Sequence, residues 1–490
     1  MDTSGPTFHA LSPFDMATSR KYVTRSFVFD FENTAFHLIE SAANVIAMRL
    51  EGVFLRYPFL SGHIKIDKDG LARLHPRRRP KSTSLPPLTF SNYKEDVFRF
   101  RTHSDFFGAT VEGLRKKAFP PHWLRRELTC YLPKHVDWSV GMPAMTLQAN
   151  FLAGKSGYLI LSFAIYHCLV DSTSMNLVLQ AFAADPFQGV TPVHGNLDLT
   201  QYRPRFPLAI REIPEWDFDT EKPVRRSYLE SKSKSIIITM PTTRLNRLKE
   251  EVDAILAKQG DGRWVSKMDC LGAWCWLAIM RARLPRVDVK AKTKFSTAVN
   301  VRSRLRPPLP ETFFRNMTVN VVATSTVERL LGPRRDSAVE LEPEDDVLAP
   351  LPVPAIASAA ASIRDAIEAV NDEYVCQRLG ALAQAKPEEI KEVTYAFART
   401  MRSSHTGVKF RSFSASGADL DFGIPSTTNG RRPIFCRKQW GTEEGVVSVL
   451  PRTAGSADGD PGWEIQMCLS LDDFKELRKF LEGWVGVSYC

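Results

Sequence analysis

The sequence predicts an α/β protein made of two large domains, and three observations carry that prediction. A chain of 490 residues exceeds what one hydrophobic core ordinarily organises. Apolar runs of strand character alternate with stretches of helical periodicity along its whole length. Between two such series lies "ADPFQGVTPVHGNLDLTQYRPRFP", Ala184 to Pro207, whose Pro, Gly and Asn content marks a long irregular connection. The expected division is therefore 1–185, a crossover at 186–230, and 231–490.

Taken in order, "LRYPFLSGHIKIDKDGLARL" (Leu55 to Leu74) reads as a helix end, a break at Tyr57-Pro58, and a hairpin turning at Asp67 to Gly70. "MTLQANFLAG", Met145 to Gly154, is a strand that turns through Gly154 to Gly157 into "YLILSFAIY", Tyr158 to Tyr166. That second strand is apolar on both faces and belongs in a sheet interior. Beyond it Ser172 or Ser174 can cap a helix whose Met175, Val178, Leu179 and Phe182 form one buried stripe. In the second half, "SKSIIITM" from Ser233 is a strand leading to a helix at Thr242-Thr243. "SKMDCLGAWCWLAIMRAR", Ser266 to Arg283, reads as an amphipathic helix with Ser266 as N-cap, and "STAVNVRSRLRPPLPETFFRN", Ser296 to Asn316, as a strand entering a Pro-rich loop. Asp336 to Pro354 is acidic and Pro-rich, a surface insertion, after which an alanine-rich helix resumes by Ala355. "GVVSVL" and "WEIQMCLSL" bracket "PRTAGSADGDPG", a hairpin with a long loop.

Hydrophobic residues make up 43% and charged residues 24% of the chain, so most of it is expected to pack into cores. The opening "MDTSGPTFHALSPFD" lacks the basic and apolar regions of a secretory signal, and no apolar run approaches the roughly 18 residues of a membrane span. A cytoplasmic protein is the expectation. The eight cysteines are scattered without metal-ligand spacing and are expected as reduced thiols. A net charge of +10 favours an anionic partner. Its densest run, "PRRRPK" at Pro76 to Lys81, lacks interleaved aromatics and any nucleic-acid motif, and reads as a solvated loop.

"SFAIYHCLVDSTSMN", Ser162 to Asn176, carries His167 out of the apolar strand and sets Asp171 four residues later, at a strand-to-helix junction. By itself His-x-x-x-Asp is a weak signal. The wider pattern is stronger. "LSPFD" at Leu11, "LRYPFLSGHI" at Leu55, the His167 segment, "VSKMDCLGAWCWLAIMRAR" at Val265, "AVNVRSRLRPPLP" at Ala298 and "RSFSASGADLDFG" at Arg411 together resemble, in order and spacing, the BAHD acyltransferase superfamily. The resemblance is to its fungal secondary-metabolite branch, the trichothecene acetyltransferase-like enzymes.

The resemblance implies two similar chloramphenicol-acetyltransferase-like domains, each a mixed β-sheet flanked by helices, with an active-site channel between them. It implies a monomeric CoA-dependent O-acyltransferase, an acetyltransferase, acting on a hydroxyl of a small secondary metabolite; an amine acceptor stays open. Acetyl-CoA or another acyl-CoA would be a co-substrate, with no permanently bound cofactor, metal, nucleic acid or membrane partner. His167 would be the general base, since an imidazole can take the acceptor's proton and return it to the departing thiolate. Asp171 would either orient the His167 ring, as a triad carboxylate does, or, as the resemblance implies, turn away to pair with Arg302. Ser412 lies in the segment near the thioester, and Ser296, Asn300 and Ser266 in segments that approach CoA. Asp421, Phe422 and Gly423 match a structural element. Departures from the family pattern are Ser172, Phe413, Arg315, and Ile424-Pro425.

Two rival functions remain on this scaffold, a condensation-like enzyme fed by a carrier protein, and a non-acylating cyclase or binding role. The doubled-histidine "HHxxxDG" of the first is absent, with Tyr166 and Ser172 in its place. Cys168 is a rival nucleophile, which strand alternation would point away from the pocket His167 addresses.

Overall fold

The computed structural model describes residues 11–32, 34–75, 97–103, 111–121, 124, 141–153, 157–186, 191, 193, 199–220, 233–260, 262–331, 351–402, 406–413, 417–438, 443–452, 462–482 and 488–489. The basic run Pro76 to Lys81, the greater part of the acidic insertion, most of the loop between "GVVSVL" and "WEIQMCLSL", the residues 154–156 of the turn after Met145–Leu152, and Cys130 and Cys490 lie outside them.

The strands are β1 (Tyr22–Phe31), β2 (His63–Ile66), β3 (Ala72–His75), β4 (Phe98–His103), β5 (Met142–Pro143), β6 (Met145–Leu152), β7 (Gly157–Tyr166) and β8 (Ser233–Met240). They continue with β9 (Lys292–Asn300), β10 (Thr318–Thr326), β11 (Gly407–Ser412), β12 (Phe435–Arg437), β13 (Val446–Val449), β14 (Trp463–Ser470) and β15 (Ser488–Tyr489). One mixed sheet has the order β12-β1-β7-β6-β4, a second the order β10-β9-β11-β13-β14-β8-β15, and β3-β2-β5 form a small third. In the first sheet β4 runs parallel to β6; in the second β11 runs parallel to β9 and β13.

The doubly apolar β7 lies inside its sheet, between β1 and β6, and every residue of it is buried. One face of this sheet packs on the helices Phe36–Arg56 and Ser172–Ala183, whose Ile46, Leu50 and Val53 share a core with Met175, Val178, Leu179 and Phe182. The second core is built around Lys267–Arg283. That helix is buried on nearly every face from Asp269 to Met280, not amphipathic as its sequence suggested. It is enclosed by the second sheet and by the helices Thr242–Lys258, Val353–Glu368 and Leu471–Glu482, so Trp274 and Trp276 find apolar partners on opposite sides.

The expected division at 231 does not hold everywhere. β12, from the second half of the chain, completes the first sheet by pairing with β1, Cys436 opposite Phe27. Its Arg437 reaches across to Glu464 on β14 with two hydrogen bonds of 2.7 and 2.9 Å, tying the two sheets together. Phe422 likewise enters the first core, against Phe27 at 5.2 Å and Phe29 at 5.4 Å between ring centroids. Gly423 follows at φ +59°, and a Cβ there would sit 1.9 Å from the Arg49 guanidinium. Arg49 in turn donates to the carbonyls of Phe182, Ala183 and Ala184 at the end of the Ser172–Ala183 helix. No helix among the described residues is long and apolar enough to cross a membrane.

Candidate active site

β7 ends at Tyr166, and His167–Leu169 form one 3₁₀ turn before the next helix. The His167 backbone N–H donates to the Lys21 carbonyl at 2.9 Å, and its own carbonyl accepts from Asn316 Nδ2 at 3.0 Å. The ring is half-buried, and its Nδ1 lies 3.1 Å from the Val170 carbonyl oxygen. A carbonyl only accepts, so this contact places the proton on Nδ1 and leaves the lone pair on Nε2. Burial lowers the His167 pKa to about 4, with the positive charges of Lys21 and Arg411 adding to the effect. The imidazole is therefore neutral at neutral pH.

Asp171 does not touch the His167 ring. Its carboxylate meets Arg302 in a fork, Nη1 to Oδ2 at 2.8 Å and Nη2 to Oδ1 at 3.2 Å. The same carboxylate accepts the Ser174 N–H at 2.8 Å and the Met317 N–H at 2.9 Å. Asp171 is thus the N-cap of the Ser172–Ala183 helix, the role expected of Ser172 or Ser174. A carboxylate outcompetes a hydroxyl there because it can cap the helix and pair with a cation at once. Ser174 is instead a bridge: its hydroxyl donates to the Arg315 carbonyl and accepts the Arg315 N–H, both at 3.0 Å.

Arg302 is 1% exposed and is held on every side. Nε donates to the Phe313 carbonyl at 3.0 Å, Nη1 to Asn300 Oδ1 at 3.0 Å, and Nη2 to the Arg315 carbonyl at 2.6 Å. All the guanidinium nitrogens are used, which is what a buried cation requires. The loop carrying His167 is thereby fixed to the start of β10 in the other half of the chain.

The remaining expected site residues scatter. Asn300 commits its side-chain oxygen to the Arg302 guanidinium and backbone N–H and its nitrogen to Thr173 at 3.4 Å, so it belongs to the anchor. Ser266 closes a capping box with Asp269, and Asp269 is further paired with Arg364; its hydroxyl is spent on the helix. Ser296 is buried in β9. Ser412 is exposed at the end of β11, with its hydroxyl 3.7 Å from Met268 Sδ. Asp421 accepts the Gly423 N–H at 2.6 Å and pairs with Arg431 at the surface. Cys168 follows His167 within the 3₁₀ turn, so strand alternation does not govern it. Its thiol is 3% exposed among apolar neighbours, and burial, with the Asp15 charge, raises its pKa, the opposite of an activated thiolate.

Sequence reasoning missed Asp15 and Asn316. Asp15, fully buried, accepts from the Asn316 backbone N–H at 3.0 Å and from Asn316 Nδ2 at 2.8 Å; Asn316 then holds the His167 carbonyl. "LSPFD" and "FFRN" were both noted, but 301 residues separate the partners and no local signal links them.

With this geometry in place, comparisons with known proteins converge. The family model described as the Transferase family matches residues 126–344. An O-acetyltransferase of Cryptosporiopsis sp. is 25% identical over 88% of this chain and 87% of its own length. Trichothecene 3-O-acetyltransferase of Saccharomyces cerevisiae is 27% identical over 59% of this chain and 65% of its own. Among solved structures, a Fusarium graminearum protein crystallised with coenzyme A and T-2 mycotoxin covers 98% of this chain and 99% of itself, at a TM-score of 0.72 and 17% identity. Vinorine synthase matches at a TM-score of 0.58 and 13% identity, over 100% of this chain and 95% of its own. The chain is an acyltransferase similar to fungal O-acetyltransferases, with a stretch that matches the Transferase family model.

Proposed function

We propose that the protein transfers an acetyl group from acetyl-CoA to a hydroxyl of a small secondary metabolite, with His167 Nε2 as general base. The observation that carries this reading is the His167 ring itself: Nδ1 is bonded to the Val170 carbonyl, and the imidazole is neutral and half-buried at the end of β7. As the acceptor oxygen attacks the thioester carbonyl, Nε2 takes the hydroxyl proton. When the tetrahedral adduct collapses, the carbon–sulfur bond breaks and the imidazolium returns that proton to the thiolate of CoA. A depressed pKa makes His167 a weaker base but a stronger acid, which suits the second transfer. Asp171 and Arg302 act through the loop they hold, as positioning residues.

Coenzyme A in the structure of the similar Fusarium protein, and the names of the fungal relatives as O-acetyltransferases, support the donor and the O-acetyl chemistry. The test is incubation of the purified protein with acetyl-CoA and a metabolite extract, scored by mass spectrometry for a gain of about 42 mass units. Its counterpart is the same assay with His167→Ala. Product formation by that variant at the parent rate would overturn the mechanism.

A further inference from the structure

Beside His167 the two sheets enclose a cluster of cations that the acyl-transfer chemistry does not use. β11 places Lys409 and Arg411 on one face, and Phe413 continues that face, its N–H bonded to the Val449 carbonyl at 2.9 Å. From the first sheet, Arg25 of β1 lays its guanidinium over the Phe413 ring, 3.7 Å from the centroid. Lys438, one residue past β12, sets its Nζ 5.6 Å from the same centroid. Phe413 is therefore where two cations from the first sheet meet, beside the face of β11 that carries Arg411. Arg25 is 2% exposed. Its Nη1 donates to the Thr24 carbonyl at 2.9 Å, but Nε and Nη2 are buried and meet no hydrogen-bond acceptor among the described residues. Among the described residues Lys438 Nζ donates to the Ser448 hydroxyl, at a long 3.4 Å. The nearby carboxylate, Glu443, is ion-paired with Lys409.

The charges oppose one another. Burial lowers the Lys438 pKa well below its usual value, and Arg411, Arg25 and Lys21 lower it further; burial lowers that of Arg25 to about 10. The Glu443 carboxylate acts on Lys438, Arg411 and Lys21 as well as on Lys409, but among the described residues Arg25 Nε and Nη2 still meet no acceptor, and a buried cation with idle N–H groups costs stability. Cation–ring contact with Phe413 offsets part of that cost but supplies no acceptor for the idle N–H groups. The cluster adjoins the reacting centre, because Lys21 holds the His167 N–H through its carbonyl and Arg411 and Lys21 both act on the imidazole. The phosphates of CoA are separated from its thioester by the whole pantetheine arm, so an anion seated here belongs to the groups that react.

We infer that Arg25, Lys438 and Arg411 form a carboxylate-binding subsite around Phe413, so that the acceptor or the transferred acyl group carries a carboxylate. This rests on the acyltransferase reading for what the carboxylate is attached to, and on the cluster alone for its presence. Arg25 presents Nε–H and one Nη–H in the fork that suits a carboxylate, and Lys438 supplies a point charge.

The first arm of the test needs no turnover. Thermal melting of the full chain is measured at constant ionic strength with malonate and with malonamide as neutral control. Malonate is expected to raise the melting temperature of the parent and malonamide to leave it unchanged. Lys438→Met and Arg25→Gln are expected to lose the response to malonate, and Lys438→Met, relieved of repulsion, to melt at or above the parent without ligand. No response of the parent to malonate, an equal response in Lys438→Met, or a Lys438→Met protein melting well below the parent would each overturn the inference. The second arm locates the carboxylate. If it is on the acyl group, malonyl-CoA outcompetes acetyl-CoA and Lys438→Met raises KM for malonyl-CoA alone by about tenfold or more. If it is on the acceptor, the same variant raises KM for an acid acceptor by that factor and leaves its methyl ester unchanged. A Lys438→Met protein with unaltered KM for both anionic members would also overturn it.

Discussion

Asp171→Asn removes one charge from a pair that is buried on both sides, and the structure allows its cost to be worked out. Asparagine keeps the size and can still accept the Ser174 N–H as a cap. The loss falls on Arg302, a cation 1% exposed that is left with the neutral oxygens of Phe313, Arg315 and Asn300 and an amide N–H₂ where it had an acceptor. Breaking one side of such a pair costs about 3–5 kcal/mol. Arg302→Met strands Asp171 instead, yet Asp171 retains two backbone N–H donors and a helix N-terminus, so its cost belongs at the lower end of that range. Removing both partners leaves no uncompensated charge, and the double variant should be less unstable than the sum of the singles by about 2 kcal/mol or more. Melting temperatures of the four proteins and kcat for each are the assay, with non-additivity as the readout, because a chain of this length need not unfold in two states. Both single variants should lose activity and melting temperature together. Singles that melt like the parent, or additive losses, would refute the anchor.

His167→Ala should melt near the parent but lower kcat by at least about 10²-fold, the usual scale of general acid–base catalysis. The base works unprotonated, and burial lowers its pKa from 6.5 to about 4, so kcat/KM should stay level from neutral pH downward and fall only as pH passes through about 4; an acid limb near 6.5 would contradict the burial. By the same shift the unfolded chain takes up a proton at His167 before the folded one does, so stability at this site is present above 6.5 and lost as pH falls toward 4. Cys168→Ala should retain most activity, at a packing cost of about 1 kcal/mol, and the parent should give intersecting double-reciprocal lines; parallel lines with an acetyl adduct on Cys168 would move the nucleophile there. Asn316→Ala frees the His167 carbonyl and removes the Nδ2 bond to Asp15, while the backbone N–H bond to Asp15 remains; it should lower kcat more than it raises KM, and a pure KM effect would separate Asn316 from the alignment of His167.

What could be read in the sequence followed from local rules. β7 and the helix after it were legible because an apolar run without alternation and a 3.6-residue stripe are each complete within a dozen residues, and Ser266 because a capping box spans four. The Asp171–Arg302 contact was suggested by resemblance, since 131 residues separate the two and no periodicity reaches that far. Asn300 was placed toward CoA from its segment, although its neighbour two residues on needed its oxygen. The Lys267–Arg283 helix shows the limit of patterning: it reads as amphipathic, but its charged Asp269 and Arg283 are buried because Arg364 and Asp473 answer their charges. Arg25 and Lys438 gave no signal at all, because only the meeting of two sheets puts them over one ring.

The strand β12 has a consequence for how the protein is made. A ribosome releases β1, β6 and β7 long before Phe435–Arg437, so the first sheet must wait with the β1 edge uncovered and Asp171 lacking Arg302. During that interval the nascent amino-terminal half presents an unpaired strand and a stranded carboxylate, the features that recruit chaperones or promote association between chains. Maturation of the His167 loop is then tied to the completion of translation: Arg302 and Asn316 arrive first, and the sheet closes when Cys436 settles opposite Phe27. A nonsense codon anywhere before residue 435 would yield a chain without its sheet edge, so truncated products of this sequence are expected in the insoluble fraction and not as inactive soluble halves.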